Sequence, residues 1–322
     1  PPVPRGHHPS HPDSAGGFLM QRLLAAVEAT PARVVTDAVA ARLVVDGDRV
    51  VGVEATVDGV PRLVRARRGV VLTAGGFVFD HDMVAEHCPE ALRCNVPIGT
   101  PHDDGRGIRM AQGVGAATVG MDRVEVGIPL TPPRSLVRGI LVNSRGRRFM
   151  NEDTYSGRLG QEFLLRQDGQ VYFVHDDETF TVNVVGYKPK WVAASAAELE
   201  EEIGLPSGSL IDTLDRYNRD AAAGDDTEHH KAAEWLRPLE PPYGVVDLRV
   251  EKSYYAPFTL GGLATTVDSE VLDGSGVAIP GLFAAGRTTA GIAAGGYVSG
   301  ISLGDGTFFG RRAGVGAART SS

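Results

Sequence analysis

Residues 69–77 read Gly69-Val70-Val71-Leu72-Thr73-Ala74-Gly75-Gly76-Phe77. A short apolar run that gives way to small residues predicts a buried strand. Its carboxyl end is open to close approach by a ligand, and that end is the ligand side of an α/β sheet. Taken alone, the segment is equally a strand followed by a tight turn. A second segment of the same form stands far down the chain: Ile279-Pro280-Gly281-Leu282-Phe283-Ala284-Ala285-Gly286-Arg287. Behind it, Gly300-Ile301-Ser302-Leu303-Gly304-Asp305-Gly306 leads into a helix expected over Gly304 to Ala318. The first turn of a helix presents unpaired N–H groups and a partial positive charge. Two glycine-edged strand ends beside such a helix point to a ligand cradle more than to packing alone.

Working outward, Gly16 to Glu28 has apolar residues at helical spacing, and Arg33-Val34-Val35 reads as a strand. Two β runs between Ala41 and Ala55 are joined by a turn at Asp46-Gly47, and Arg62 to Ala66 follows Asp58-Gly59. These segments form a small antiparallel meander. From about residue 95 the pattern changes: a helix at Gly105 to Gln112, a strand at Ile140 to Asn143, then helices at Ala194 to Glu202 and Ser209 to Ala223. The glycine-rich style returns after Pro241-Pro242. The expected division is residues 1–94 and 241–322 as two parts of one domain, with 95–240 inserted between them.

Composition excludes several classes. The net charge of -8 makes nucleic acid or an anionic membrane an unfavourable partner. No stretch approaches the roughly 18 apolar residues of a membrane helix. The two cysteines, Cys88 and Cys94, are too few for a disulfide framework and not spaced as C-x-x-C, so the expected setting is a reducing cytoplasm. The 41 glycines are crowded in two places next to apolar strands, which suggests a cradle where backbone approaches a ligand closely.

Taken together, several segments resemble the FAD-binding oxidoreductases that include fumarate reductase flavoproteins and 3-ketosteroid dehydrogenases. They are Arg67 to Phe77, Asp104-Gly105-Arg106-Gly107-Ile108, Arg147-Arg148-Phe149-Met150-Asn151-Glu152-Asp153, Phe258-Thr259-Leu260-Gly261-Gly262-Leu263 and Pro280 to Arg287. The resemblance covers nearly the whole chain. It implies an α/β (α+β) fold: an incomplete FAD-binding Rossmann-like domain with a β-meander, plus an inserted α+β substrate cap. It implies FAD as cofactor, with Val39 meeting the adenine through its backbone and Thr73, Ala74 and Gly75 lining the FAD. Gly286, Arg287, Ser302 and Leu303 would hold the isoalloxazine and ribityl parts. The helix opened by Ser302 would then stabilise the charge that reduction builds at the ring edge. The family opens with a strand, a G-x-G-x-x-G turn and a helix. Gly16-Gly17 follows no strand and is not that fingerprint. The expectation is therefore a chain without the dinucleotide-binding start.

The resemblance also bears on the substrate. Fumarate-reducing members hold a dicarboxylate with histidines and arginines, one histidine opening a His-Thr-Met-Gly-Gly stretch. Here the corresponding position is Phe258. A phenyl ring cannot donate to a carboxylate, and an unpaired buried carboxylate costs several kcal/mol. A larger apolar ketone is favoured. The Gly296-Tyr297-Val298-Ser299-Gly300 stretch is similar to the Δ4-(5α) type of 3-ketosteroid dehydrogenase, and lacks the Tyr-Pro-Gly-Ala-Gly of the Δ1 type. The resemblance thus gives Tyr297 proton transfer, Ser299 a relay or oxyanion role, and Tyr155 a second donor. Forming a double bond beside a ketone needs a proton removed at one carbon and hydride at the next. Hydrogen bonds to the ketone oxygen acidify that proton. Two alternatives remain: a reductase of another enone or a fumarate-like acid, and a truncated chain without FAD or catalysis.

Other polar groups have plainer readings. His7, His8 and His11 lie in a Pro-rich start, so no metal site is expected. Asp225-Asp226 and His229-His230 read as a solvated helix face, as do Glu198, Glu200, Glu201 and Glu202. Asp103-Asp104 read as caps of the helix at Gly105.

Overall fold

A computed structural model describes residues 15–128, 130, 134–183, 185–293 and 295–320. His7, His8 and His11 lie outside them. The chain opens with helix α1 (Ala15–Glu28), none of whose residues is buried. Strands β1 (Ala38–Asp46), β2 (Arg49–Val57) and β3 (Val60–Arg65) form the expected antiparallel meander. The β2–β3 turn is a two-residue hairpin in which Asp58 and Gly59 both have positive φ, the geometry that matches strand twist. The strand expected at Arg33-Val34-Val35 does not form. Both valines are exposed, and among the described residues no backbone supplies a ladder.

β4 (Val70–Leu72) ends in the glycines of the first quoted stretch. Helices α2 (His81–His87) and α3 (Arg106–Gln112) follow, then β5 (Thr118–Val119), β6 (Val124–Gly127) and β7 (Ile140–Asn143). Helix α4 (Ser156–Arg166) packs along β6, and Gly160 permits this: a Cβ there would sit 1.9 Å from the Val126 carbonyl oxygen. β8 (Val171–Asp176), β9 (Trp191–Ala193), α5 (Ala196–Ile203), α6 (Ser209–Ala223) and β10 (Tyr243–Asp247) complete the middle segment. Its antiparallel sheet runs β7-β8-β10-β9. β10 lies just beyond the expected edge at residue 240, yet sits inside this sheet.

Both faces of that sheet are covered. Successive side chains on a strand point to opposite faces, so a strand buried on both sides is apolar throughout. Val171 and Phe173 of β8 join Leu136, Phe163 and Leu248 in one core. Tyr172 and Val174 join Leu199, Leu214 and Tyr217 of α5 and α6 in another. α6 buries Leu210, Leu214, Tyr217 and Ala221, a stripe at helical spacing, and ends at Gly224 with φ +73°.

Two acidic groups read as solvated are buried instead. Glu200 accepts backbone N–H bonds from Gly208 (2.7 Å), Leu210 (2.6 Å) and Ile211 (3.0 Å), so it caps the next helix from inside. Asp226 follows the end of α6 in a turn and accepts two hydrogen bonds from Arg148, at 3.1 and 2.9 Å. Arg148 also binds Glu152, and Lys231 lies 2.8 Å from Glu152. Each charge in this buried quartet has an opposite partner, which offsets its desolvation.

The last segment returns to the first. β11 (Ala256–Thr259) pairs with β6 and β12 (Gly262–Leu263) with β5. β13 (Glu270–Leu272) and β14 (Ala278–Ala284) form a three-stranded sheet with β4, in which β14 and β4 are parallel. Helix α7 (Ile301–Arg319) lies on this sheet, with Phe283, Ala285 and Ala313 buried at the crossing. The two glycine-edged strands of the sequence are thus neighbours, and their ends open on one side.

Candidate active site

Asp103 ties the two strand ends together. Its Oδ1 accepts the Gly76 N–H at 2.9 Å, and its Oδ2 accepts the Thr100 N–H at 2.8 Å. Arg287 Nη2 donates to both oxygens, at 2.9 and 3.0 Å. Gly75 has φ +79°, and a Cβ there would lie 2.1 Å from Asp103 Oδ1, so two separate constraints require glycine. Asp104 does cap α3, through the Arg106 N–H at 3.1 Å, but buried Asp103 serves the Gly75–Arg287 junction instead. The sequence reading missed this role. Its only local signal was a doubled aspartate before a glycine.

Beside this junction lies a hollow lined by Phe258, Thr259, Gly286, Arg287, Ser302 and Asp305, among others. The expected ligand residues Gly286, Arg287 and Ser302 meet here. Ala74 stands close by: a Cβ on Gly107 would touch both Ala74 Cβ, at 2.9 Å, and Thr288 Cγ2, at 3.4 Å. Thr73 is exposed at the end of β4, Leu303 is exposed on α7, and Val39 is exposed on β1; none of these three lines the hollow. Asp305 accepts the Ile292 N–H at 3.3 Å, and burial raises its carboxyl above the ordinary range. The first turn of α7 has no side-chain cap, and Gly286, Gly300 and Gly304 face space with no heavy atom within 4 Å of a would-be Cβ. The Ile301 N–H bonds to the Val298 carbonyl at 3.0 Å, and the uncapped helix start with bare backbone beside an open hollow fits a planar, oxygen-edged ring such as an isoalloxazine.

A second cavity, of about 660 Å³, lies between α4, the amino end of β6 and the 295–298 segment. Tyr155 and Tyr297 both line it. Tyr297 is half-buried and meets Phe258 edge to face, with ring centroids 5.0 Å apart. The two hollows adjoin at this contact. Arg287 stands over the Phe258 ring, 5.8 Å from its centroid. The Ser299 backbone and hydroxyl both face the Tyr155 phenol. Burial, and then the Glu125 charge, raise that phenol above its ordinary value, and the facing Ser299 groups offset part of this. Tyr155, Tyr297 and Ser299 are therefore brought together from two distant segments.

Glu125, which the sequence reading did not single out, sits behind this group on β6. Burial pushes its carboxyl up to about 7, and the Tyr297 N–H lowers it in part. Its Oε2 is buried without a hydrogen-bond partner.

The FAD binding domain family matches residues 4–303. The chain belongs to that family of flavoproteins. FAD is the family's cofactor. Over 99% of its length the chain is 45% identical to the 3-ketosteroid-Δ4-(5α)-dehydrogenase of Rhodococcus jostii RHA1, solved with 4-androstene-3,17-dione, at a TM-score of 0.92 and covering 68% of that chain. It is 26% identical to the 3-ketosteroid Δ1-dehydrogenase of Sterolibacterium denitrificans, solved with 1,4-androstadiene-3,17-dione, at a TM-score of 0.70, covering 87% of this chain and 59% of that one. It is 29% identical over 338 residues to the NADH:acrylate oxidoreductase of Vibrio harveyi, covering 97% of this chain. The chain spans only 33% of that relative's length. Among the described residues, no helix is long and apolar enough to cross a membrane.

Proposed function

We propose that this flavoprotein chain dehydrogenates a bulky, apolar ketone of the 3-ketosteroid kind. The observation that carries the reading is the Phe258–Tyr297 contact, which joins the hollow suited to a ring cofactor with a cavity that Tyr155 and Tyr297 line. Phe258, where the two hollows meet, offers a hydrocarbon ring and no donor, which favours an apolar group over a carboxylate at that point. FAD, when bound, supplies a hydride acceptor. The α7 amino end and the backbone of Gly286 and Ser302 would hold its ring, with Ala74 and Gly75 beside it. Thr73, Leu303 and the backbone of Val39 would serve more distant parts of the cofactor.

In this reading the chain's own groups manage the proton. Tyr297 takes the proton from the carbon next to the ketone. Ser299 relays it or donates to the ketone oxygen, and Tyr155 gives a second hydrogen bond there. Such donors stabilise the enolate as it forms. The oxidation state of the cell and the electron acceptor set the direction of flux. Residues 1–94 and 241–322 would form the cofactor part and 95–240 the cap, with β10 lending its strand to the cap sheet. Free thiols at Cys88 and Cys94 suit a reducing cytoplasm.

The test is direct. The purified chain, offered FAD, should turn yellow and then oxidise a 3-ketosteroid with a dye as acceptor. Turnover of fumarate in place of the ketosteroid would refute the substrate class. A colourless protein that takes up no FAD would refute the enzymatic reading of this chain.

A further inference from the structure

Glu125 lies in register with Phe258 across the β6–β11 pair, so both side chains stand on one face of that ladder. Phe258 packs on the Tyr297 ring, and the Tyr297 backbone N–H faces the Glu125 carboxyl. Tyr155 arrives from the other side. A Cβ on Gly157 would lie 2.0 Å from Glu125 Oε1 and 2.6 Å from Tyr155 Cε1, so the glycine keeps the three groups in contact. Glu125 has 2% of its surface exposed, and its second oxygen is unpartnered. A structural carboxyl in a sheet would be expected to bond through both oxygens or be replaced by an apolar residue. The titratable groups facing it are Tyr155 and Tyr297. The cavity wall nearby also carries Asp122, Arg123, Arg158, Glu162 and Arg166, while β11 offers only Phe258.

We propose that Glu125 is a positioning residue that gives the two phenols different tasks. Through its charge it keeps Tyr155 a hydrogen-bond donor, and through the Tyr297 amide it fixes the segment that bears the reacting phenol. This rests on the assignment of Tyr155 and Tyr297 to the site proposed above. A carboxylate beside Tyr155 opposes a second negative charge there and so disfavours the phenolate. At Tyr297 the contact runs through the backbone, which orients the residue.

The experiment follows the phenols themselves. Tyrosine labelled at Cζ is incorporated into the full chain, and the Tyr155 signal is assigned by its loss in Tyr155→Phe. In Glu125→Gln, Tyr155 should ionise at lower pH than in the wild type. Glu125→Asp, which keeps the charge, should ionise closer to the wild type. An unmoved Tyr155 step in Glu125→Gln overturns the proposal. The wild-type protein supplies a check that needs no variant: the Tyr155 signal should carry a small extra step near pH 7 as Glu125 ionises. A flat signal through that range overturns it equally. Ketosteroid turnover is measured separately. A moved step in an enzyme that ignores ketosteroids refutes the substrate class and supports the role of Glu125. Ketosteroid turnover with an unmoved step does the reverse.

Discussion

Replacing Asp103 by alanine removes the fastening between the two strand ends. The side chain satisfies the Gly76 and Thr100 N–H groups and both oxygens face Arg287. Each orphaned buried N–H costs about 1–3 kcal/mol, and the Thr100 group is only partly buried, so the two amides together account for roughly 2 kcal/mol. The Arg287 side chain is 29% exposed, so water recovers part of its loss. The ion pair then adds roughly 1–2 kcal/mol, well below the figure for a fully buried pair. The expected destabilisation is roughly 3–4 kcal/mol. Urea unfolding, followed by tryptophan fluorescence, should show a lower midpoint with an unchanged slope. FAD uptake should weaken too, because Gly75 and Arg287 both lose their anchor. The double variant Asp103→Ala/Arg287→Met leaves no stranded guanidinium, so its loss should fall short of the summed single losses by about 1 kcal/mol or more. A stability change in Asp103→Ala below about 0.5 kcal/mol, typical of a surface site, would refute the clasp. Strict additivity in the double variant would refute the pairing with Arg287.

Gly75→Ala should destabilise by at least about 1 kcal/mol, since alanine is strained at φ +79° and its methyl meets Asp103 Oδ1; thermal unfolding checks this. Tyr297→Phe should slow ketosteroid turnover by roughly 10²- to 10⁴-fold with little change in folding, and a near-normal rate in steady-state assays would remove Tyr297 from proton transfer. Arg148 and the backbone hydrogen bonds hold the Asp226 carboxyl below its ordinary value against the opposing effect of burial. A carboxyl lowered on folding contributes stability that is complete above the unfolded value, about 4, and is lost as pH falls toward the folded one. Asp226→Asn should therefore lower the urea midpoint most at neutral pH, with the gap from wild type closing below about pH 4. Glu125 has the opposite sign. Its carboxyl is raised to about 7, so wild-type stability is full near pH 4 and is lost as pH rises through 7. Glu125→Gln should match or exceed the wild type in stability at pH 8, and a larger loss at pH 8 than at pH 5 would contradict this.

Much of the frame was legible because its causes are local. Asp58-Gly59 names its own hairpin, since both residues tolerate positive φ. The α6 stripe of Leu210, Leu214, Tyr217 and Ala221 is written at helical spacing. The two glycine-edged strands are also readable, although nothing local says that they pair. What could not be read is which acidic groups are inside. Glu200, Asp226, Asp103 and Glu125 each look like ordinary surface carboxylates, and each is buried by a partner remote in sequence or by a neighbouring helix end. Arg33-Val34-Val35 shows the converse: the residue types suit a strand, but a strand also needs a neighbour to receive its hydrogen bonds.

The β6–β11 pair explains why the tyrosine group stands where it does. Register sets Glu125 opposite Phe258, and the same face then receives Tyr297 from the segment before α7. One residue of slip on either strand would turn that strand's side chain to the other face. A slip of β11 would take Phe258 from Tyr297 and the Arg287 guanidinium, and a slip of β6 would take Glu125 from the Tyr297 segment. The close contact at Gly160, where a Cβ would strike the Val126 carbonyl, holds α4 against β6 and delivers Tyr155 to its place. Helix position, strand register and phenol placement are thus one constraint. A bulky residue at Gly160 should therefore disturb Tyr155 by displacing α4 from β6.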